Sequence, residues 1–178
     1  RQSTGAALIS GGNTPTGVGV QIPSPGTPQT NTHALPTTSP EAGVATARPA
    51  PSIEAVKAIK DPAKQQAQVK ELFSSLAEPT ALPSGEFRGD FVGLYTDSTL
   101  AKALVPWLWE GVVLNGSEAK LTLNPWVSWF LPQETGVVSL ATSVYDGRQT
   151  IRVDYEDRFW ETRRLDDNRF LGIVTNKE

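Results

Sequence analysis

The sequence predicts a mainly β protein: an antiparallel barrel or half-barrel, preceded by one or two helices and a long extended N-terminal arm. Three observations carry this. All 14 aromatic residues lie between Phe73 and Phe170. Eight of the 14 prolines fall in residues 1–51, a stretch with no aromatic residue and only Arg1, Glu41 and Arg48 as charges. From Glu86 onward, apolar residues recur with period two in short runs separated by turn residues, the signature of strands and hairpins. The expected organisation is an extended Pro/Gly/Thr-rich arm over 1–51, a helical linker over 52–83 and a β-barrel domain over 84–178.

The arm lacks the large apolar side chains whose burial offsets the entropy of ordering a chain. It is therefore expected to be extended and to bind along protein partners. Helical patterning begins at Ser52, an N-cap residue, with Ile53, Val56 and Ile59 following. Asp61-Pro62 starts a second helix, since Asp caps and Pro suits the first helical position. Val69, Leu72, Phe73 and Leu76 then fall at i, i+3, i+4 and i+7, one stripe that covers a local core or docks on a partner. Pro79 and Pro83 end it.

In Glu86–Tyr95 one face carries Phe87, Gly89, Phe91, Gly93 and Tyr95. Glycines between aromatics allow strand curvature or close backbone approach. Ser98–Val105 reads as a short helix stopped before Pro106. Trp107–Leu114 alternates as a strand, with Trp107 and Trp109 on one face, and Asn115-Gly116 turns it into residues 118–124. Val137–Tyr145 and Gln149–Tyr155 flank Asp146-Gly147 as a second hairpin. Arg158–Arg164 and Arg169–Thr175 flank Asp166-Asp167-Asn168 as a third. Six or seven short strands at roughly ten-residue spacing favour a meander curled on itself.

Composition excludes several functions. The 178 residues hold 16 Lys and Arg against 19 Asp and Glu, a formal charge of −3. Binding along nucleic acid needs clustered cations, and Arg163-Arg164 is too small a spot for it. With no Cys, thiol catalysis, disulfides and Cys-ligated metals are excluded. The one His, His33, lies in the arm without a scaffold to position a base. Ser10-Gly11-Gly12-Asn13 lacks the Lys of a phosphate loop. Asp146, Asp154, Glu156, Asp157 and Glu161, interleaved with five arginines, read as cross-strand ion pairs on a solvated face. No metal and no catalytic residue is assigned.

Two groups of residues are candidate sites. Phe87, Phe91, Tyr95, Trp107 and Trp109 are the expected lining of an aromatic cavity for a lipid or pigment, with filling of a small barrel as the alternative. Trp126, Trp129 and Phe130, in an apolar run bounded by Pro125 and Pro132, are the expected partner-binding patch, for a protein or a membrane surface.

Gly85-Glu86-Phe87-Arg88-Gly89-Asp90-Phe91-Val92-Gly93 resembles the opening of small bacterial domains named for a Gly-x-Trp-x-Gly motif, with Phe at the Trp position. Trp109-Glu110-Gly111 resembles their next Trp motif. Ser143-Val144-Tyr145-Asp146-Gly147, and Arg164 through Val174, resemble the companion C-terminal domain. The resemblance covers about residues 83–175 and implies a lipocalin-like barrel without an established activity. Gly89 and Leu94-Tyr95-Thr96 are also similar to plastid lipid-associated proteins, the fibrillins. The chain opens on Arg1, and initiator Met is removed only before small residues. That leads us to expect a processed N-terminus, in an exported or plastid protein with no transmembrane span.

The function expected first is a non-catalytic accessory subunit of a larger assembly, such as a photosynthetic complex. The alternatives are a lipocalin-like carrier of a small apolar ligand and a barrel enzyme of isomerase or cyclase type.

Overall fold

Eight antiparallel strands close into a barrel in which each strand pairs with its sequence neighbour and the first pairs with the last. The computed structural model describes residues 4–11, 51–96 and 98–177. The chain divides into two units, residues 1–15 with 50–178 and residues 16–49, and all the described residues belong to the first. In chain order the elements are β1 (Thr4–Gly11), α1 (Ile53–Lys57), α2 (Pro62–Ser75), β2 (Gly85–Tyr95), α3 (Thr99–Leu108), β3 (Trp109–Asn115), β4 (Glu118–Leu123), α4 (Pro125–Ser128), β5 (Thr135–Thr142), β6 (Gln149–Asp154), β7 (Arg158–Arg164) and β8 (Arg169–Asn176).

The turn chemistry sets the meander. Gly116 at φ +60° joins β3 to β4, and Gly147 at φ +71° lies between β5 and β6, both in the left-handed region that only Gly enters without strain. The side chain of Asp166 accepts from the backbone N–H groups of Asn168 (3.1 Å) and Arg169 (2.9 Å), which tightens the β7–β8 turn.

Closure corrects the expected arm. Residues 4–11, read as part of the 1–51 segment, are β1. They pair in register with β2, Leu8 opposite Asp90, and with β8, Leu8 opposite Leu171. Ala6, Ala7, Leu8 and Ile9 are all buried. Residues 12–50, including His33 and most of the expected arm, lie outside the described residues.

Two cores result, one on each face of the same strands. Inside the barrel pack Ile9, Phe87, Val112, Ile151, Trp160 and Phe170, among others. Outside, Ala6, Leu8, Val92, Leu171 and Ile173 form an apolar wall that α1 and α2 cover. The α2 stripe supplies Val69, Leu72 and Phe73, and Leu76 follows it. Its face therefore covers a local core rather than a partner. Both helix starts are capped as the sequence indicates: Ser52 Oγ accepts from Ala55 N–H at 3.2 Å, and Asp61 Oδ1 from Ala63 and Lys64 N–H at 2.9 and 3.1 Å.

In a meander, alternate connections lie at the same end of the barrel. The β2–β3 connection, α3, and the β4–β5 connection, which contains α4, share one end. The β3–β4, β5–β6 and β7–β8 turns share the other.

Candidate functional site

The structure separates the five expected cavity residues. Phe87 faces the barrel interior, Trp109 packs against the same core, and the partly buried Phe91 meets Trp109 edge to face while also bordering the cleft between α2, β2 and α3. Glycine opposite each Trp makes room for it. A Cβ on Gly89 would fall 2.3 Å from the Trp109 six-membered ring, and one on Gly172 would fall 1.7 Å from Trp160 Nε1. Edge-to-face contacts then run through the barrel: Phe87 with Phe170 at 5.5 Å, Phe91 with Trp109 at 4.8 Å, and Trp109 with Trp160 at 5.8 Å between centroids. These rings pack against one another inside the barrel.

Tyr95 is not among them. The β1–β2 register moves two residues on β2, from Gly93 to Phe91, for one on β1, from Ala6 to Ala7. Val92 is thus a bulge residue, and beyond it the parity of β2 reverses. Gly93 and Tyr95 face out toward α2: a Cβ on Gly93 would lie 2.4 Å from Gln65 Oε1, and Tyr95 packs on the outer core. Trp107 is corrected too. The helix continues through Pro106 to Leu108, so Trp107 sits on α3, 55% exposed, and β3 begins only at Trp109.

Trp109 Nε1, Trp160 Nε1 and Tyr155 Oη are buried without a hydrogen-bond partner among the described residues. Burial pushes the Tyr155 hydroxyl up to about 12 despite the Arg158 guanidinium stacked 5.0 Å from its ring, so it is protonated at neutral pH. A buried hydroxyl without a partner costs about 1–3 kcal/mol of desolvation. Tyr155→Phe is therefore expected to leave stability unchanged or raise it by about 1 kcal/mol. The check is the urea midpoint of the two proteins; a drop would mean the hydroxyl has a bound partner.

Asp146, Asp154, Asp157 and Glu161 are ion-paired as read, Glu156 forms no ion pair among the described residues, and Glu161 and Asp146 sit under cover rather than on a solvated face. Glu161, fully buried on the outward face of β7, pairs with Arg152 across to β6 and accepts from Ser143 Oγ at 2.6 Å and Val144 N–H at 3.2 Å. Arg163, also fully buried, donates from Nη1 and Nη2 to both Asp146 oxygens at 2.5 and 2.8 Å. It also reaches the carbonyls of Phe73 (3.2 Å) and Gln149 (3.1 Å), with its guanidinium 4.5 Å from the Phe73 ring. This residue ties α2 to the β5–β6 turn. The interleaved Arg and Asp spacing carried the signal for pairing; nothing in it showed that α2 would bury the pair.

The shared end of α3 and α4 has the opposite character. No residue of α3 is buried. Leu100, Leu104 and Trp107 fall at i, i+4 and i+7 and are exposed. On and just after α4, Trp126, Trp129 and Phe130 are 81, 88 and 84% exposed, with Leu131 exposed beside them. The N–H of Asn124, which caps α4, donates to the carbonyl of Leu108 at the end of α3 (2.8 Å), so the end of α3 meets the start of α4. Together they leave a large apolar surface exposed at this end of the barrel.

The fold and this surface define a closed antiparallel barrel with an aromatic-rich interior and one apolar end. No protein-family model, curated protein or solved structure matches the chain. No helix among the described residues is long and apolar enough to cross a membrane. Among the described residues no group of three His, Cys, Asp or Glu side chains could hold a metal ion.

Proposed function

We propose that the protein is a non-catalytic accessory subunit that docks on a protein partner through the apolar end built from α3 and α4. The observation that carries this is the exposure of Trp126, Trp129 and Phe130 on one short connection, beside the Leu100–Leu104–Trp107 stripe. Trp is the residue most enriched among binding hot spots, and the cores of interfaces are depleted of charge.

Charge decides between a protein and a lipid surface. Interfacial helices that bind membranes carry Lys and Arg on their polar face to meet anionic headgroups. Here Lys102 is the one charge in residues 99–108, and 125–131 has none. Nearby cations are already paired, Arg158 with Glu134 and Asp157, Lys177 with Asp154. Residues 84–178 carry 10 basic and 14 acidic groups, a net charge of −4 that anionic lipid repels. The partner that fits is a protein with an apolar groove. This reading does not depend on a plastid location or on a photosynthetic complex, which rest on the fibrillin-like rhythm alone.

The test is the triple variant Trp126→Ser/Trp129→Ser/Phe130→Ser. In extracts of cells that make the protein, the wild type is expected in a native complex larger than the monomer, and the variant at monomer size with unchanged melting. Flotation with anionic or zwitterionic vesicles, or equal native sizes for the two proteins, would overturn the proposal.

A further inference from the structure

The bulge at Val92 has an effect on the outer surface as well as the inner one. Where β2 reverses parity, a cleft of about 330 Å³ opens between the start of α2, the second half of β2 and α3. It is at the small end of the range for ligand sites. Phe91, Leu94 and Pro106 give it apolar walls, and Gln65, Tyr95 and Lys102 are its polar groups.

Several features of these groups bear on a ligand. The Tyr95 hydroxyl is buried and has no hydrogen-bond partner among the described residues. The Gln65 amide donates to the Val56 carbonyl at 3.3 Å, which fixes its side chain beside the cleft. Gly93 lets the Gln65 and Tyr95 side chains close over the strand at the cleft wall, because a Cβ there would stand 2.4 Å from Gln65 Oε1 and 2.9 Å from Tyr95 Oη. Lys102, exposed on α3, has no ion-pair partner among the described residues. Lys102 and Pro106 stand four residues apart on α3, on the side that lines the cleft, while Leu100, Leu104 and Trp107 form the exposed stripe. The two faces of α3 thus have separate uses.

We propose that this cleft binds a small apolar molecule carrying a carboxylate. One carboxylate oxygen pairs with the Lys102 ammonium and the other accepts from the Tyr95 hydroxyl, a single cation and a single donor that suit a monoanion. Phe91, Leu94 and Pro106 take the apolar part. Burial pushes Tyr95 up to about 12, which keeps its hydroxyl a donor across the neutral range. The site is independent of the docking surface, which uses the other face of α3 and α4.

Titration calorimetry with decanoate and with decanol tests it on the full chain. Decanoate is expected to bind saturably at one site and decanol about tenfold more weakly or less. Lys102→Ala and Tyr95→Phe are each expected to weaken decanoate by about tenfold with unchanged melting, since Lys102 is exposed and the Tyr95 change removes one hydroxyl. Equal affinity for decanoate and decanol, unaltered decanoate binding by both variants, or no saturable binding would overturn the proposal. Trp126→Ser/Trp129→Ser/Phe130→Ser should bind decanoate as the wild type does. Loss of docking and loss of the ligand site are therefore distinguishable.

Discussion

A chain that starts at residue 12 is expected to lose cooperative unfolding altogether. Among the described residues β1 is the strand that joins β2 to β8, and its removal exposes the ladder edges of both. It also empties both cores at once, because Leu8 packs outward against the wall under α2 while Ile9 packs inward. Burying two such side chains contributes about 3–6 kcal/mol, a large share of the roughly 5–15 kcal/mol that holds a domain together. Far-ultraviolet circular dichroism through a urea titration checks this. A sigmoidal transition in the truncated chain would show that β1 is dispensable. A synthetic peptide of residues 1–11 added in trans is expected to restore the transition. One consequence is practical: deleting the whole N-terminal segment is no test of partner binding, because it unfolds the barrel first.

Asp146→Ala is expected to cost about 3–5 kcal/mol, the penalty of stranding a buried charge. Arg163 is fully buried, and Asp146 is the carboxylate that neutralises it. The double variant Asp146→Ala/Arg163→Met should recover much of the loss, since a flexible apolar chain replaces the guanidinium over Phe73. The same pair sets an acid limit. The hydrogen bonds from Arg163, helped by the Arg148 N–H and opposed by desolvation, hold the Asp146 carboxyl at about 2, below its ordinary 3.8. A depressed carboxylate stabilises the fold fully above the unfolded value, and that contribution is lost as pH falls through the folded one. On the order of 2 kcal/mol should disappear between about pH 4 and pH 2 in the wild type, and much less in the double variant. Urea midpoints at pH 5 and pH 2 for the two proteins measure it; equal losses would remove Asp146 from the acid response.

The barrel was legible where period and turn chemistry agree. Asn115-Gly116, Asp146-Gly147 and Asp166-Asp167-Asn168 stand between strands as read, and the α2 stripe packs as its spacing requires. The misses share one cause, which is that local pattern does not record what covers the second face. Thr4–Gly11 shows no alternation because both of its faces are buried, so Ala6-Ala7-Leu8-Ile9 is a continuous apolar run inside a Gly- and Pro-rich segment. Tyr95 follows the period of Phe87 and Phe91 in sequence, and a single bulge at Val92, itself unmarked by Gly or Pro, moves it to the outside. Trp107 alternates with Trp109 on paper, yet Pro106 lies near the end of α3 and the helix carries two residues past it. At the apolar end, the signal was the pair of prolines bounding Trp126–Leu131, which hold it as a short exposed helical turn. The cleft at Lys102 had no sequence signal, because its three walls come from α2, β2 and α3.

Hydroxyl-radical footprinting of the indole rings tests the docking end most directly, comparing the isolated protein with the protein in its native complex. Trp160, inside the barrel, should be unreactive in both, and Trp126 and Trp129 reactive when isolated. Docking through α3 and α4 predicts that Trp126 and Trp129 become protected in the complex. Trp126 and Trp129 oxidised as readily in the complex as in isolation would contradict it.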